Sequence, residues 1–429
     1  MMNAADALSL TVLLVVQVAT ILVVTSGCGW LLARLGQPRV VGEITGGLLL
    51  GPLVFGHLLP TVSALLFPPS RLQPLEVVSN IGLVLFLFVM GAELDLDAAR
   101  RNHGASLAIT AGSIALPFAL GAALSPLLLV RFGMPHVSHV GFLLFVGIAM
   151  SITALPVLAR IIQERRNTSG AIDPATAATA LICAAANDLL AWSLLAVTLT
   201  LVHSGEGSRD VAGAIFRLLV LAGYIGIMLF AVRPLLARLL SLRHRVPVWL
   251  WLPCMVGFAF LSARITELLG VHAFFGAFLA GICVPRVQYG GASLEHTLQQ
   301  KLQLIISLAL PVFFAMTGLR MQREMFSGSG LGWFAVVLLV AVAGKIGGAM
   351  FAARGSGMEW KMAAQIGILL NTRGLVELVV LNVGYKEGIL SPLLFTLFVL
   401  MAIVTTAMTV PLFDLSDRMT SKVRNDPSG

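Results

Sequence analysis

The sequence predicts an all-α polytopic membrane protein of about thirteen transmembrane helices, and three observations carry that expectation. Apolar residues make up 58% of the chain and charged residues only 11%, whereas soluble domains average roughly 25% charged. Apolar runs of roughly 20 residues, long enough to cross a hydrocarbon core, recur from one end of the chain to the other. The basic residues between those runs fall mainly in alternate gaps, as inside and outside loops require.

In chain order the runs are 9–33, 40–59, 77–94, 104–130, 138–162, 174–202, 211–236, 247–269, 271–285, 299–319, 329–353, 360–384 and 392–414. The first follows MMNAADALSL, which lacks the basic start of a cleaved signal peptide, so it reads as a retained helix. The second is glycine-rich. Its Gly42/Gly46 and Gly47/Gly51 spacings let a neighbouring helix approach closely. It also holds Glu43, which reads equally as lining an ion vestibule or as making a tertiary hydrogen bond.

The run 138–162 contains Ser151-Ile-Thr-Ala-Leu-Pro156. A proline at membrane depth removes a backbone donor and frees carbonyls that can coordinate a cation where they line a cavity. Thr153 adds a hydroxyl. An ordinary proline kink is the competing reading.

The run 174–202 carries the sharpest signal, Asn187-Asp188, about 14 residues from either end. An ionisable residue at that depth is a functional hypothesis by default. A carboxylate offers hard oxygens to an alkali cation, and the same oxygens bind a proton. The two ligands therefore exclude one another at a single site. A hydrogen-bonded structural aspartate is the alternative.

Arg217, near an end of 211–236, reads as snorkelling. Arg264 and Glu267 read as a structural pair. Lys345 lies well inside 329–353, and a buried ammonium needs a carboxylate or must lose its proton. Asp188 and Glu377 are its candidate partners, with a structural brace as the plain reading. The run 360–384 contains Asn371-Thr-Arg-Gly-Leu-Val-Glu377. Gly374 weakens a helix there, Asn371 and Thr372 can bond freed backbone groups, and Arg373 and Glu377 share a helix face four residues apart.

Two stretches echo each other, Val41–Gly51 and Val271–Gly281, with Gly46/Gly276, Leu49/Leu279 and Gly51/Gly281 aligned. Phe88-Val-Met90 likewise matches Phe314-Ala-Met316. The offset is seven runs, so the second copy is inverted across the membrane. Inverted repeats with paired broken helices point to a secondary transporter whose site lies at the repeat interface. The expected organisation is one membrane transport domain over 1–415, with repeats at about 9–202 and 247–414, and a cytoplasmic tail over 416–429.

One set of alternate gaps holds Arg34, Arg39, Arg100, Arg101, Arg160, Arg165, Arg166, Arg233, Arg238, Arg243, Arg245, Arg286, Arg354, Lys361 and the basic tail. The other holds only Arg71, Arg131, Arg209, Arg320, Arg323 and Lys386. The richer set is assigned to the cytoplasm, with the N-terminus outside and the C-terminus inside. A net charge of +8 spread this way does not make the basic face of a nucleic-acid binder.

The four cysteines lie in or beside apolar runs and read as packing residues. The histidines His103, His136, His139, His203, His244, His272 and His296 form no ligand cluster. No metal beyond a transported cation, and no cofactor, is expected. No nucleophile–base pair sits at membrane depth, so an enzyme is disfavoured.

These stretches together resemble the monovalent cation:proton antiporter-2 family of the sodium/proton exchanger superfamily, most closely its plant-type cation/proton exchanger branch. The matching segments are Gln37–Pro52, Ser151–Arg160, Ala184–Trp192, His272–Gly281 and Asn371–Asn382, spread over nearly the whole chain in family order. The resemblance implies a thirteen-helix fold, a mobile core, a dimerisation domain and homodimers. It implies that two broken helices cross in the core. Asp188 then corresponds to the ion-binding aspartate with Asn187 its neighbour, and Lys345 to a core lysine at the site. The expected activity is exchange of K+ or Na+ for H+ across a bacterial inner membrane, electroneutral because Asn-Asp supplies one carboxylate. A passive monovalent cation channel is the alternative. Many relatives carry a long cytoplasmic regulatory domain, and ligand gating through such a domain is not expected within this polypeptide.

Overall fold

The computed structural model describes residues 10–94, 104–134, 137–166, 172–202, 211–242, 248–285, 288–289, 292–326 and 328–424. Several basic residues of the topology argument (Arg100, Arg101, Arg209, Arg243, Arg245, Arg286) and His103, His136, His203 and His244 lie outside them, as do residues 425–429 of the tail.

The main helices are α1 (Leu10–Arg34), α2 (Arg39–Leu49), α3 (Gln73–Glu93), α4 (Ala105–Phe132), α5 (His139–Ser151), α6 (Leu155–Arg166), α7 (Pro174–Val202), α8 (Val211–Ile227), α9 (Arg233–Leu242), α10 (Val248–Leu268), α11 (Ala273–Ile282), α12 (Leu294–Leu319), α13 (Gly330–Gly355), α14 (Trp360–Leu370), α15 (Leu375–Lys386) and α16 (Pro392–Arg424). A π-helical turn, Met228–Val232, joins α8 to α9. The strand pairing among the described residues is a two-residue ladder, Gln288–Tyr289 with Ala292–Ser293.

Nine helical segments among the described residues are long and apolar enough to cross a membrane, or ten with the bent pair α14–α15 counted as one. The other three expected runs, 40–59, 247–269 and 271–285, correspond to α2, α10 and α11. At 11 and 10 residues, α2 and α11 are half the roughly 20 residues a span needs. Thirteen apolar runs therefore do not make thirteen full-length helices.

The chain divides into two compact units. The first comprises residues 1–22, 59–94 and 196–316. There α11 packs into the angle of α3 and α10. A Cβ on Gly276 would meet the Ser262 carbonyl at 2.3 Å, and one on Gly281 the Phe88 carbonyl at 2.1 Å. The second unit comprises 23–58, 95–195 and 317–429. Here a Cβ on Gly46 would meet Thr25 of α1 at 2.8 Å, and one on Gly51 the Gly318 carbonyl at 2.1 Å. Matched glycines thus do matched work. Gly46 and Gly276 each seat a half-helix on the helix before it. Gly51 and Gly281 each bring its end against the helix bearing the other copy's Phe-x-Met stretch.

The rest of the second unit is built on α4, which packs along both α5 and α13. Gly112 and Gly348 hold α4 and α13 so close that a Cβ on either would strike the other's carbonyl, at 2.6 and 2.2 Å. Small residues at a helix interface permit such approaches where lipid supplies no hydrophobic drive between helices.

Candidate functional site

Two of the helices in the second unit are broken. α5 stops at Ser151, Ile152-Thr153-Ala154 leave the helix, with Ile152 extended, and α6 starts at Leu155. Pro156 occupies the second position of α6, where its missing N–H would be unpaired in any case. The proline therefore starts the second half-helix. α14 stops at Leu370, and α15 starts at Leu375 with a bend of 44° between them. Gly374 holds φ 150° at that break, a conformation essentially confined to glycine.

The breaks meet. The Ala154 amide donates to the Thr372 carbonyl at 3.0 Å, and the Thr153 hydroxyl donates to the Leu370 carbonyl at 2.9 Å. Backbone groups left open by one interruption are closed by the other, which non-helical chain at membrane depth requires.

Asp188 lies beside this crossing and is 1% exposed. Neither carboxylate oxygen has a hydrogen-bond partner among the described residues. The Leu155 amide, at the positive end of α6, and the Lys345 ammonium act on it electrostatically. Asn187 is fully engaged. Its Nδ2 donates to Ser113 Oγ at 3.0 Å and to Thr153 Oγ1 at 3.1 Å. A continuous chain of hydrogen bonds thus runs from Ser113 through Asn187 and Thr153 to the Leu370 carbonyl.

Lys345 is 0% exposed. Its Nζ donates to the Ser113 carbonyl at 2.9 Å and, in a shorter bond, to the Ser151 carbonyl. The expected ion pair with Asp188 or Glu377 is not formed. Arg373 and Glu377 do pair, at 2.9 Å and with both side chains wholly buried. Arg373 also donates to the carbonyls of Ala149 at 2.7 Å and Met150 at 2.6 Å. Two cations therefore cap the C-terminal carbonyls of α5, where positive charge is favoured. This corrects one expectation. The carbonyls freed at 149–151 are occupied by the protein's own Arg373 and Lys345, so they are closed to a transported ion in this arrangement.

Ser151 Oγ donates to the Gly147 carbonyl at 2.7 Å. Thr372 Oγ1 reaches Thr409 Oγ1 at 3.4 Å. Asn371 is 0% exposed, yet neither its Oδ1 nor its Nδ2 has a partner among the described residues, contrary to the expectation that it bonds freed backbone. Glu43 is placed on α2, ion-paired to Arg39 at 3.2 Å and partly exposed.

Sequence reading missed three contributors. Ser113 gives both a hydroxyl to Asn187 and a carbonyl to Lys345. Thr406 accepts from the Arg373 amide at 3.0 Å and donates to the Arg373 carbonyl at 2.8 Å, and Thr409 meets Thr372. Three threonines clustered in the second half of an apolar run, Thr405, Thr406 and Thr409, were the available signal. Ser113, a lone serine, gave none.

A polytopic helical protein with interrupted helices crossing beside a buried carboxylate has the architecture of a secondary transporter. The sodium/hydrogen exchanger transmembrane family matches residues 19–414, and the chain belongs to that family. It is 36% identical over 405 residues to Cation/H(+) antiporter 17 of Arabidopsis thaliana, covering 93% of this chain and 48% of that protein. It is 35% identical to the Na(+)/H(+) antiporter NhaS4 of Synechocystis, covering 90% of this chain and 92% of that one. The chain thus spans about half the length of the first relative and most of the second. Its fold is similar to that of the sodium proton antiporter MjNhaP1 of Methanocaldococcus jannaschii, with a TM-score of 0.68 at 16% identity, covering 96% of this chain and 99% of that one.

Proposed function

We propose that this chain is a secondary antiporter that exchanges a monovalent cation, K+ or Na+, for H+ by alternating access. The observation that carries this reading is Asp188, a buried carboxylate that no side-chain donor engages and that has only the Leu155 amide beside it, where two broken helices cross. An unneutralised carboxylate is strongly disfavoured in such a place. Asp188 must therefore hold either a proton or a cation, and binding of one expels the other. Asn187 and Thr153 fix its surroundings, while Arg373–Glu377 and Lys345 keep the crossing assembled.

Each loaded form of Asp188 carries the same net charge, so one cation moves per proton and the cycle is electroneutral. The two relatives, a cation/H(+) antiporter and an Na(+)/H(+) antiporter, agree with this substrate class. We place the protein as a homodimer in a bacterial inner membrane, with its N-terminus outside, its C-terminus in the cytoplasm, and a core that moves the site from one face to the other.

The test is a proteoliposome assay in which an imposed pH gradient is dissipated by added Na+, K+, Rb+ or Li+. Wild-type protein is expected to respond, and Asp188→Asn to abolish the response while eluting as folded protein. Exchange retained by the variant refutes the role of Asp188. Cation current without proton movement would make the protein a channel.

A further inference from the structure

Asn371 is 0% exposed, and both polar atoms of its side chain, Oδ1 and Nδ2, lack a hydrogen-bond partner among the described residues. The other unpaired side-chain atoms on this break, Arg373 Nε and Glu377 Oε2, belong to side chains that further bonds already hold. No such bond holds the Asn371 amide. Burying an amide in this way is disfavoured, and a group so placed marks a water or an ion that shares its space.

Asn371 lies against the same stretch of chain as Asp188. Its neighbours Leu370 and Thr372 accept from Thr153 and Ala154. From the other side, Asn187 bonds Thr153, and the Leu155 amide acts on Asp188. Packing brings α7 and α14 together at the same level. Ala184 shares an apolar core with Leu369 and Leu370, and Leu155 packs on that core. One turn on along α7 stands Asp188, and one residue on along α14 stands Asn371. Both polar groups therefore stand at the end of that core.

The helix sets the direction of the Asn371 side chain. α13 and α14 run antiparallel. The rings of Phe351 and Trp360 meet edge-on with centroids 6.4 Å apart, and a Cβ on Gly367 would meet the Ile346 carbonyl at 2.7 Å. Asn371 keeps helical angles, φ −75° and ψ −3°. It is one turn beyond Gly367, so its side chain leaves α14 on the same face. A turn forward on α14 is a turn back on α13. Asn371 thus reaches the level of Lys345, the ammonium that acts on Asp188.

We propose that Asn371 is a ligand of the transported cation, its amide oxygen joining the Asp188 carboxylate in the set of hard oxygens that holds the ion. A neutral amide adds affinity without adding charge, so exchange of one cation for one proton is preserved. The assignment rests on the antiport reading, in which Asp188 carries the cation.

The test measures binding separately from transport. Purified full-length protein in detergent at alkaline pH, where protons compete least, is melted over a range of Li+, Na+, K+ or Rb+ concentrations. A cation that binds only the folded protein raises the melting temperature by mass action, and the concentration dependence gives its Kd. Asn371→Val and Asn371→Thr match in shape and differ by one oxygen, and neither gives up a side-chain hydrogen bond to the described residues. Asn371→Val is expected to raise the Kd about tenfold, as loss of one bond to a charged group does. Asn371→Thr should raise it less. Asn371→Ala replaces the valine variant if that fails to fold. An unchanged Kd, equal losses with valine and threonine, or no cation-dependent rise in the wild type overturns the proposal. Cation binding that depends on Asn371 in a protein that exchanges no protons in proteoliposomes refutes antiport and leaves the ligand standing. Exchange in a protein whose cation affinity ignores Asn371 does the reverse.

Discussion

Asp188 and Lys345 are both buried beside the helix crossing, yet Lys345 spends its protons on the carbonyls of Ser113 and Ser151 and leaves the carboxylate oxygens open. That division separates scaffold charge from working charge. Arg373 is scaffold in the same sense, joining Glu377, Ala149 and Met150. Removing one partner of a buried ion pair leaves the other unpaired, at a cost of about 3–5 kcal/mol. Arg373→Ala is therefore expected to lower the melting temperature in detergent by several degrees. Arg373→Ala combined with Glu377→Leu should recover part of the loss, and additive losses would refute the coupling. Asn187 has a different role, since it places an uncharged amide where a second carboxylate would fit. Asn187→Asp supplies a second carboxylate, so the proton-loaded site can hold two protons against one cation; the cycle then moves net charge, and its exchange is expected to generate a membrane potential, whereas wild-type exchange does not. A potential-sensitive dye in the same proteoliposomes reads the difference. Asp188 was legible in the sequence because a lone carboxylate in mid-run has few explanations. The occupancy of the Ala149–Ser151 carbonyls was not, because it depends on how α13 and the α14–α15 break approach α5, and no local pattern encodes that.

The broken helices were legible from Pro156 and Gly374, although each residue does something other than bend a continuous helix. Pro156 opens α6, and Gly374 supplies a backbone angle that no other residue readily adopts. The half-helices α2 and α11 were overestimated, because hydropathy counts apolar residues and does not register where the hydrogen-bonded ladder stops. What betrays their termini is glycine, since Gly51 and Gly281 sit just beyond or near the end of the half-helix and meet the backbone of another helix. Added methyl groups there have no room, and overpacking typically costs 1–3 kcal/mol. Gly51→Ala and Gly281→Ala are expected to lower thermal stability by about that much, while Gly257→Ala, with nothing within 4 Å of a built Cβ, should leave it unchanged. Gly348→Ala makes the same test closer to the site. It would drive α13 off α4 and draw Lys345, one turn away, from the Ser113 carbonyl, so exchange should fall more steeply than stability. Equal falls in both would show that the contact is packing alone.

Sidedness is the property in which sequence and structure constrain each other most tightly. Counting basic residues assigns the ends of α6 and α16 and the start of α14 to one face. The structure ties those ends together, Arg165 of α6 to Asp414 of α16 and Lys361 of α14 to Asp417 of α16 at 3.0 Å. At the opposite set of ends, Arg131 of α4 meets Ser329 before α13 at 3.2 Å, and Arg323 meets His57 at 2.9 Å. Had one run been miscounted, these contacts would join ends that the count puts on different faces. The ion pairs themselves are partly exposed and worth roughly 0–1 kcal/mol each, so they report the arrangement without imposing it. The orientation proposed above rests on the excess of Lys and Arg in one set of loops, the set expected on the cytoplasmic side. A fluorescent protein fused after residue 424 is therefore expected to fluoresce, and alkaline phosphatase at the same position to be inactive. Moving the fusion to residue 328, between Arg323 and α13, should reverse both signals. If the two positions gave the same signal, the three crossings counted between them, α13, the broken pair α14–α15 and α16, would be wrong.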